Sequence, residues 1–178
     1  MEQLTPEAVV PDPSEYAPYY GRYISLVPAG DIVATLDRQV GETCGMLSTV
    51  TDETGNYRYA PGKWSVKEML GHVIDCERIF AYRALRIARH DRTPIEGFEQ
   101  DDYVKNGSFG AHSVPDLLSE FACVRHATVL LFRRLAPEAW ERRGIANNNE
   151  ISVRAIAYII AGHELHHRRV LEEKYFTL

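Results

Sequence analysis

Apolar residues recur at helical spacing in four long segments of the chain, and no segment alternates apolar and polar residues as a half-buried β-strand does. Spacings of three and four place residues on one face of a helix, and that face packs against other elements. The segments with this spacing are 31–48, 65–90, 113–135 and 152–175. The pattern predicts an all-α protein built from four helices.

Polar residues mark the expected starts of three of these helices. Asp31 is a predicted N-cap of the first helix, and Ser65-x-x-Glu68 forms a capping box at the start of the second. Ser113-x-x-Asp116 is a similar signal at the start of the third. In each case a side-chain oxygen can accept a hydrogen bond from a backbone N–H group that the helix leaves free.

The connection between the second and third helices is the longest. It spans residues 91–112, whereas connections in helical bundles are typically about 2–8 residues long. A connection of this length can travel the length of a helix, so the two helices need not be antiparallel neighbours. We therefore expect an up-down-down-up four-helix bundle with a long crossover between helices two and three. Residues 1–28, rich in proline and tyrosine, are expected to form an irregular N-terminal arm on a bundle domain of residues 29–178.

Composition and charge indicate which binding partners and which cellular compartment to expect. The 178 residues suffice for one domain, the net charge is −5, and the lysines and arginines are scattered, so we expect no nucleic-acid partner. No stretch approaches 18 apolar residues, and the first residues do not resemble a signal peptide, so we expect a cytoplasmic protein without a membrane span. The three cysteines are too few and too far apart for a disulfide framework, and each is expected to be a small buried hydrophobe.

Two histidines interrupt the core-facing series of the last helix. Residues four apart on a helix stack on the same face, so the imidazoles of His163 and His167 can reach one point. Burying both without partners would cost about 1–3 kcal/mol for each unsatisfied group, whereas a shared metal ion satisfies both lone pairs. The spacing therefore predicts a metal site. The series consists of Val153, Ile156, Ile160, His163, His167 and Val170.

The segment His163-Glu164-Leu165-His166-His167 also matches the H-E-x-x-H motif of zinc proteases. The residues after His167, "RRVLEEKYFTL", contain no third ligand of the kind those proteases place downstream, so we exclude a protease. His166 is expected beside the site or on the surface. A general-base role for Glu164 is the weaker hypothesis for that residue.

The third ligand is therefore expected upstream. His72 lies well inside the second helix, at the border of its apolar face, and we predict it as the third ligand. Asp75 and Cys76, one turn later, are competing candidates, although Cys76 is expected to be ordinary core. The other upstream histidines are less well placed: His90, His112 and His126.

Two stretches, "GKWSVKEMLGHVIDCE" at 62–77 and "ISVRAIAYIIAGHELHHRRV" at 151–170, resemble the DinB-like superfamily, which includes the bacillithiol transferases and the mycothiol-dependent maleylpyruvate isomerases. The resemblance extends over about residues 30–175. It implies an up-down-down-up bundle, often a homodimer, with a divalent metal held by three histidines. By motif these are His72, His163 and His167. The metal is zinc or nickel in many members, and iron and manganese are alternatives.

The expected function is metal-dependent chemistry on a small molecule. A thiol-dependent transferase, in which the metal activates a low-molecular-weight thiol, is the first expectation. A hydrolase using metal-bound hydroxide and a non-enzymatic metal- or ligand-binding bundle are the alternatives. Glu99, Asp101 and Asp102 make the crossover acidic. We expect them in a solvated loop, although beside the metal they would repel an anionic thiol.

Overall fold

Side-chain caps begin all four long helices. The carboxylate of Asp31 and the hydroxyls of Ser113 and Ser152 each accept a backbone N–H from the first turn, and Ser65 and Glu68 form the predicted reciprocal box. Such caps contribute typically about 1 kcal/mol each. The computed structural model describes residue 5 and residues 8–176. Its helices are α1 (Gly21–Ile24), α2 (Ile32–Leu47), α3 (Asp52–Gly55), α4 (Val66–Ala88), α5 (Gln100–Asn106), α6 (Val114–Arg133) and α7 (Val153–Lys174).

The four long helices form the predicted up-down-down-up bundle. Helices α2 and α4 each pack against both α6 and α7, so α2 and α4 lie on one diagonal. Helices α2 and α7 run parallel, because Gln39 contacts Ala161 and the later Glu42 contacts the later Arg168. Helix α4 is antiparallel to α7, since the hydroxyl of Tyr175, just after the end of α7, donates to the backbone carbonyl of Trp64, just before the start of α4. The long crossover makes this order of helices feasible, as expected.

The bundle core consists of two apolar clusters with a polar layer between them. One cluster contains Leu36, Phe80 and Ile156, and the other contains Leu47 and Leu171. On α2, α6 and α7 the polar residues of this layer lie between residues of the two clusters, whereas on α4 His72 lies among residues of the second cluster. The polar layer includes Gln39, Thr43, His72, Glu77, Arg125, His163 and Glu164.

A short antiparallel hairpin that the sequence pattern did not predict precedes α7, within the otherwise helical fold that was expected. Strands β1 (Arg143–Ala146) and β2 (Asn149–Ser152) pair in a two-stranded sheet. Between them Asn147 and Asn148 both have positive φ, 48° and 60°, which matches the turn that suits a two-residue hairpin loop. Four residues per strand are too few to show alternation, and only the paired asparagines signalled the turn.

The described part of the N-terminal arm is ordered into short helical turns and packs on α7. The short helix α1 packs against α7. The carboxylate of Glu15 accepts hydrogen bonds from Ser152 and Arg154 at 2.6 Å each, which fastens the arm to the start of α7. The side chain of Glu15 is therefore buried between the arm and the bundle.

Two other sequence expectations have mixed outcomes. Cys76 is buried, Cys44 is half-buried and Cys123 is exposed, so the expectation that all three are core residues is wrong for Cys123. The three are free thiols. Within the described ranges, each helix falls short of the length and apolar character that a membrane crossing requires.

Candidate metal centre

The three predicted histidines meet in the polar layer. The Nε2 atom of His163 lies 3.1 Å from Nε2 of His72 and 3.1 Å from Nε2 of His167. One ring nitrogen from each histidine lies within 4.8 Å of the other two. His72 comes from α4 and the other two from α7, so the antiparallel pairing of these helices brings together residues 91 positions apart in sequence. Among the described residues, His90, His112 and His126 belong to no such cluster.

The geometry of these nitrogens suits a shared cation better than hydrogen bonds among the rings. A neutral ring nitrogen carries either one hydrogen or one lone pair, so Nε2 of His163 cannot make two well-aligned hydrogen bonds to the others. A tetrahedral ion with bonds of about 2.0–2.1 Å holds nitrogen ligands roughly 3.3 Å apart. The observed 3.1 Å separations are close to that value, so the residues present fit a divalent metal.

Burial keeps the three rings in the neutral form that metal ligation needs. Desolvation lowers the pKa of His72 to about 4. Desolvation also lowers the pKa of His163 far below its ordinary value, with further lowering from the neighbouring rings of His167 and His72. The pKa of His167 is lowered in the same way, first by burial and then by His72. Lone pairs are therefore available at neutral pH.

Aromatic rings pack against the histidines of the cluster. The ring of Trp64 lies 4.7 Å from that of His72, measured between centroids. The ring of Tyr23, from α1, lies 5.3 Å from that of His163 and 5.4 Å from that of His166. His166 is half-buried and belongs to this aromatic surround, as expected for a residue beside the site.

A glycine directly precedes His72 on α4 and His163 on α7. Each glycine lets a neighbouring segment pack closely against the helix at that point. A Cβ on Gly162 would collide with the backbone carbonyl of Tyr23. A Cβ on Gly71 would collide with the ring of Phe109, which lies near the end of the crossover. The pairs Gly71-His72 and Gly162-His163 thus let neighbouring segments cover the site from outside the bundle.

Of the two competing candidate ligands, Cys76 lies beside the histidine cluster and Asp75 does not. The Sγ atom of Cys76 lies 3.5 Å from Nδ1 and 3.6 Å from Nε2 of His72. Burial raises the pKa of the Cys76 thiol to about 12, so it is a neutral neighbour of the ring. Asp75 is half-buried and pairs instead with Arg78, at 3.6 Å.

Glu164 belongs to a buried charge network and not to the histidine cluster. Arg125 is fully buried, and its Nε and Nη2 donate to both carboxylate oxygens of Glu77 at 2.8 Å. Its Nη1 lies 2.5 Å from Oε2 of Glu164, whose other oxygen accepts the Thr43 hydroxyl. Gln39 accepts a further bond from Nη1 at 3.3 Å. The network joins all four long helices.

The network favours a structural role for Glu164 over the general-base hypothesis. Burial raises the pKa of Glu164, and Arg125 and Thr43 oppose that rise. Both of its oxygens already have partners, so the match to the protease motif reflects a structural carboxylate. The sequence analysis missed Arg125, although it follows Phe121 by four residues and so occupies a core position of α6.

Two cavities reach the histidines from opposite directions. One, of about 350 Å³, contacts His163 and Cys76 and extends along the end of α4. The other, of about 360 Å³, contacts His167 and Trp64. Glu99 lines the first and Asp101 the second. Both carboxylates are exposed and therefore solvated, as expected, but Asp101 lies in helix α5 and not in a loop. Both also border the site.

Comparisons with known proteins agree with this architecture. The sequence model of the DinB superfamily matches residues 35–171. A search of curated proteins by sequence found no match. YfiT from Bacillus subtilis, described as a probable metal-dependent hydrolase with an unusual four-helix bundle topology, has a similar structure: the TM-score is 0.69 at 14% identity, over 92% of this chain and 89% of that one.

A second solved structure is also similar. It is that of the mycothiol-dependent maleylpyruvate isomerase, with a TM-score of 0.66 at 10% identity. The match covers 82% of this chain and 61% of the isomerase, so this chain spans about six-tenths of that protein. At these identities the two likenesses establish a shared fold.

Proposed function

Because the chain belongs to the DinB superfamily, we propose that it is a metal-dependent enzyme in which His72, His163 and His167 bind one divalent cation. The convergence of three ring nitrogens within 4.8 Å of one another carries the proposal. Zinc and nickel are the favoured ions, since both accept imidazole ligands readily. Iron and manganese are the alternatives.

Three protein ligands leave a coordination position for a small molecule, which is the arrangement of a catalytic site. A divalent cation in such a position lowers the pKa of a bound thiol or water and makes it nucleophilic at neutral pH. The cavity beside His163 offers a place for the second reactant. The rings of Tyr23 and Trp64 pack against His163 and His72 and hold them in place.

Between the two nucleophiles, the structure favours a thiol. A hydrolase of the H-E-x-x-H type uses its glutamate as general base, but Glu164 is occupied by Arg125 and Thr43. A free thiol is far more acidic than water, with a pKa of about 8.5 against about 15.7, so on a divalent cation the thiol depends less on such a base. We therefore propose transfer of a low-molecular-weight thiol to a small electrophile as the reaction class.

Hydrolysis is the second candidate, and the likeness to YfiT, a probable metal-dependent hydrolase, supports it. The deciding experiment compares two reactions of the metal-loaded protein at neutral pH. In the first, cysteine, N-acetylcysteine or glutathione attacks 1-chloro-2,4-dinitrobenzene, forming a carbon–sulfur bond and releasing chloride. In the second, water cleaves p-nitrophenyl esters.

We expect thiol-dependent turnover that chelation removes and added metal restores. His163→Ala should abolish it, and the matched control His126→Ala, which alters a histidine outside the cluster, should leave it intact. Ester cleavage without thiol-dependent turnover would identify a hydrolase. Absence of both activities in protein that retains its metal would favour the non-enzymatic alternative.

The non-enzymatic alternative has its own structural basis in Cys76. Its sulfur lies close enough to His72 to complete a closed four-ligand site after a small movement. Metal affinity would then fall strongly in Cys76→Ala. For the proposed open site, we expect Cys76→Ala to keep its metal.

Two further parts of the proposal concern the state of the protein. We propose a cytoplasmic homodimer, and the three free thiols are consistent with a reducing compartment. Exposed Tyr82 and Leu85 on α4 offer apolar contact area for a second copy. Sedimentation that returned only monomer would contradict the dimer.

A further inference from the structure

Arg83 is a buried cation for which the described residues provide no counter-ion. It lies on α4 with 1% of its surface exposed. Its Nη2 donates to the backbone carbonyl of Glu96 at 3.0 Å, and the neutral hydroxyl of Tyr20 also interacts with the guanidinium. Its Nε is buried without a hydrogen-bond partner. Within the described ranges, Arg83 forms no ion pair with a carboxylate. Each ion pair between an arginine and a carboxylate there involves a different arginine.

The other buried arginines show how unusual this is. Arg125 lies between the carboxylates of Glu77 and Glu164, and the largely buried Arg154 pairs with Glu15 at 2.6 Å. Burying a charge without such a partner is costly. A guanidinium kept in this state presents a planar set of donors that a carboxylate can accept in pairs. The missing partner is therefore best supplied by a ligand.

The position of Arg83 relates it to the histidine cluster. Arg83, Cys76 and His163 line the same cavity of about 350 Å³. An α-helix rises about 1.5 Å per residue, so the Cα of Arg83 is roughly 10 Å further along α4 than that of Cys76. Helical side chains lean toward the helix N-terminus, and the Arg83 guanidinium accordingly lies over the ring of Phe80 at 5.4 Å. One small molecule can therefore contact both ends of the cavity.

The cavity walls indicate the rest of that molecule. Phe98 lies 5.9 Å from the guanidinium carbon, and the rings of Tyr19, Tyr20 and Tyr23 form much of the remaining wall. Aromatic walls favour a flat, largely apolar body. The carboxylate of Glu99 lines the cavity from an exposed position. The lining thus contains one guanidinium and one exposed carboxylate, which favours a ligand with a single negative charge over a more highly charged anion.

We infer that Arg83 is the specificity-determining residue of this cavity and binds the carboxylate of a small aromatic or otherwise flat carboxylic acid. The opposite end of that molecule then lies at His163. Identifying the molecule as the substrate rests on the proposed function. The carboxylate site itself rests on Arg83 and the cavity, and it exists with or without a metal ion.

The test measures benzoate binding by isothermal titration calorimetry to the full-length protein, both chelator-stripped and zinc-loaded. We expect Arg83→Met to weaken benzoate binding to the stripped protein by about tenfold or more, because a charge-assisted pair is lost. The control Arg89→Met removes an exposed charge from the same end of α4 and should leave binding unchanged. Benzamide, which has no charge, should bind the wild type and Arg83→Met alike.

Stability separates a ligand-binding role from a structural one. Removing an uncompensated buried charge should leave the urea midpoint of ligand-free Arg83→Met equal to or above that of the wild type. A lower midpoint together with unchanged benzoate binding would identify Arg83 as a structural cation and overturn the inference. Tighter binding of phenyl phosphate than of benzoate would overturn the assignment to a singly charged carboxylate.

The two metal states keep this inference distinct from the proposed function. Benzoate binding that depends on Arg83 in the stripped protein would support the inference even if the chain bound no metal. Benzoate binding only to zinc-loaded protein, equally in wild type and Arg83→Met, would assign the carboxylate to the metal and overturn the role of Arg83.

Discussion

Tyr23 lies edge-on against His163, with ring centroids 5.3 Å apart and ring planes at 87°. The contact depends on Gly162, because any Cβ there would occupy the space of the Tyr23 backbone carbonyl. The N-terminal arm thus covers one side of the histidine cluster. Gly162, the residue before His163, leaves the space for this contact.

Gly162→Ala should displace α1 and destabilise the protein. Alanine favours a helix by about 1 kcal/mol over glycine, but the backbone collision should outweigh this and cost about 1–3 kcal/mol net. Urea denaturation measures the difference. Gly45→Ala is the matched control, since its added Cβ meets nothing within 4 Å, and it should be neutral or stabilising. A Gly162→Ala variant as stable as Gly45→Ala would refute the close contact with α1.

The network around Arg125 should dominate the stability of the polar layer. Arg125→Met leaves Glu77 and Glu164 buried without their cation, and such a loss costs about 3–5 kcal/mol. Arg133→Met is the control, because its pair with Asp37 is exposed and should be worth about 1 kcal/mol or less. Equal denaturation midpoints for the two variants would contradict the structural importance of the network.

Glu164→Gln tests whether this carboxylate is structural or catalytic. The amide keeps the shape but weakens the pairing with Arg125, so we expect about 1–3 kcal/mol of destabilisation with unchanged metal content. Chemical denaturation and metal analysis on the same preparation measure both. Unchanged stability combined with loss of turnover would instead identify Glu164 as a general base.

The attachment of the arm should weaken in acid. Burial raises the pKa of Glu15, but hydrogen bonds from Arg154 and Ser152 outweigh it and lower the pKa below its ordinary 4.5. The unfolded chain therefore takes up this proton at higher pH than the folded one. The stabilisation is complete above about pH 4.5 and is lost as the pH falls through the folded-state value.

Glu15→Gln measures that contribution. It should cost about 1–3 kcal/mol at pH 7, and the difference from wild type should shrink as the pH falls below 4.5. Glu150→Gln, which breaks an exposed pair with Arg143, should cost about 1 kcal/mol or less. A Glu15→Gln difference that stayed constant down to pH 3 would contradict the role of the ionised carboxylate.

The sequence predicted the fold well because its signals are local. Caps at Asp31, Ser65 and Ser113 and the helical spacing of apolar residues depend on neighbours within one or two turns. The superfamily inferred from two short motifs is confirmed. His72 was selected from its place in the second helix, and the structure brings it to His163 as expected.

The residues that were missed owe their roles to distant partners. Arg125 and Glu77 appear in sequence as charged breaks in apolar series, and only pairing across helices makes their burial feasible. Tyr23 contacts His163, which lies 140 positions later in the chain, and Gly162 makes room for that contact. In sequence Arg83 resembles any other helix arginine, and only its burial beside a cavity without a carboxylate partner distinguishes it.

Metal analysis of the purified protein tests the central claim most directly. We expect close to one equivalent of divalent metal per chain in the wild type and in the control His126→Ala. His72→Ala and His163→Ala should lose nearly all of it while retaining helical circular dichroism. Full metal content in both His72→Ala and His163→Ala would contradict the three-histidine site.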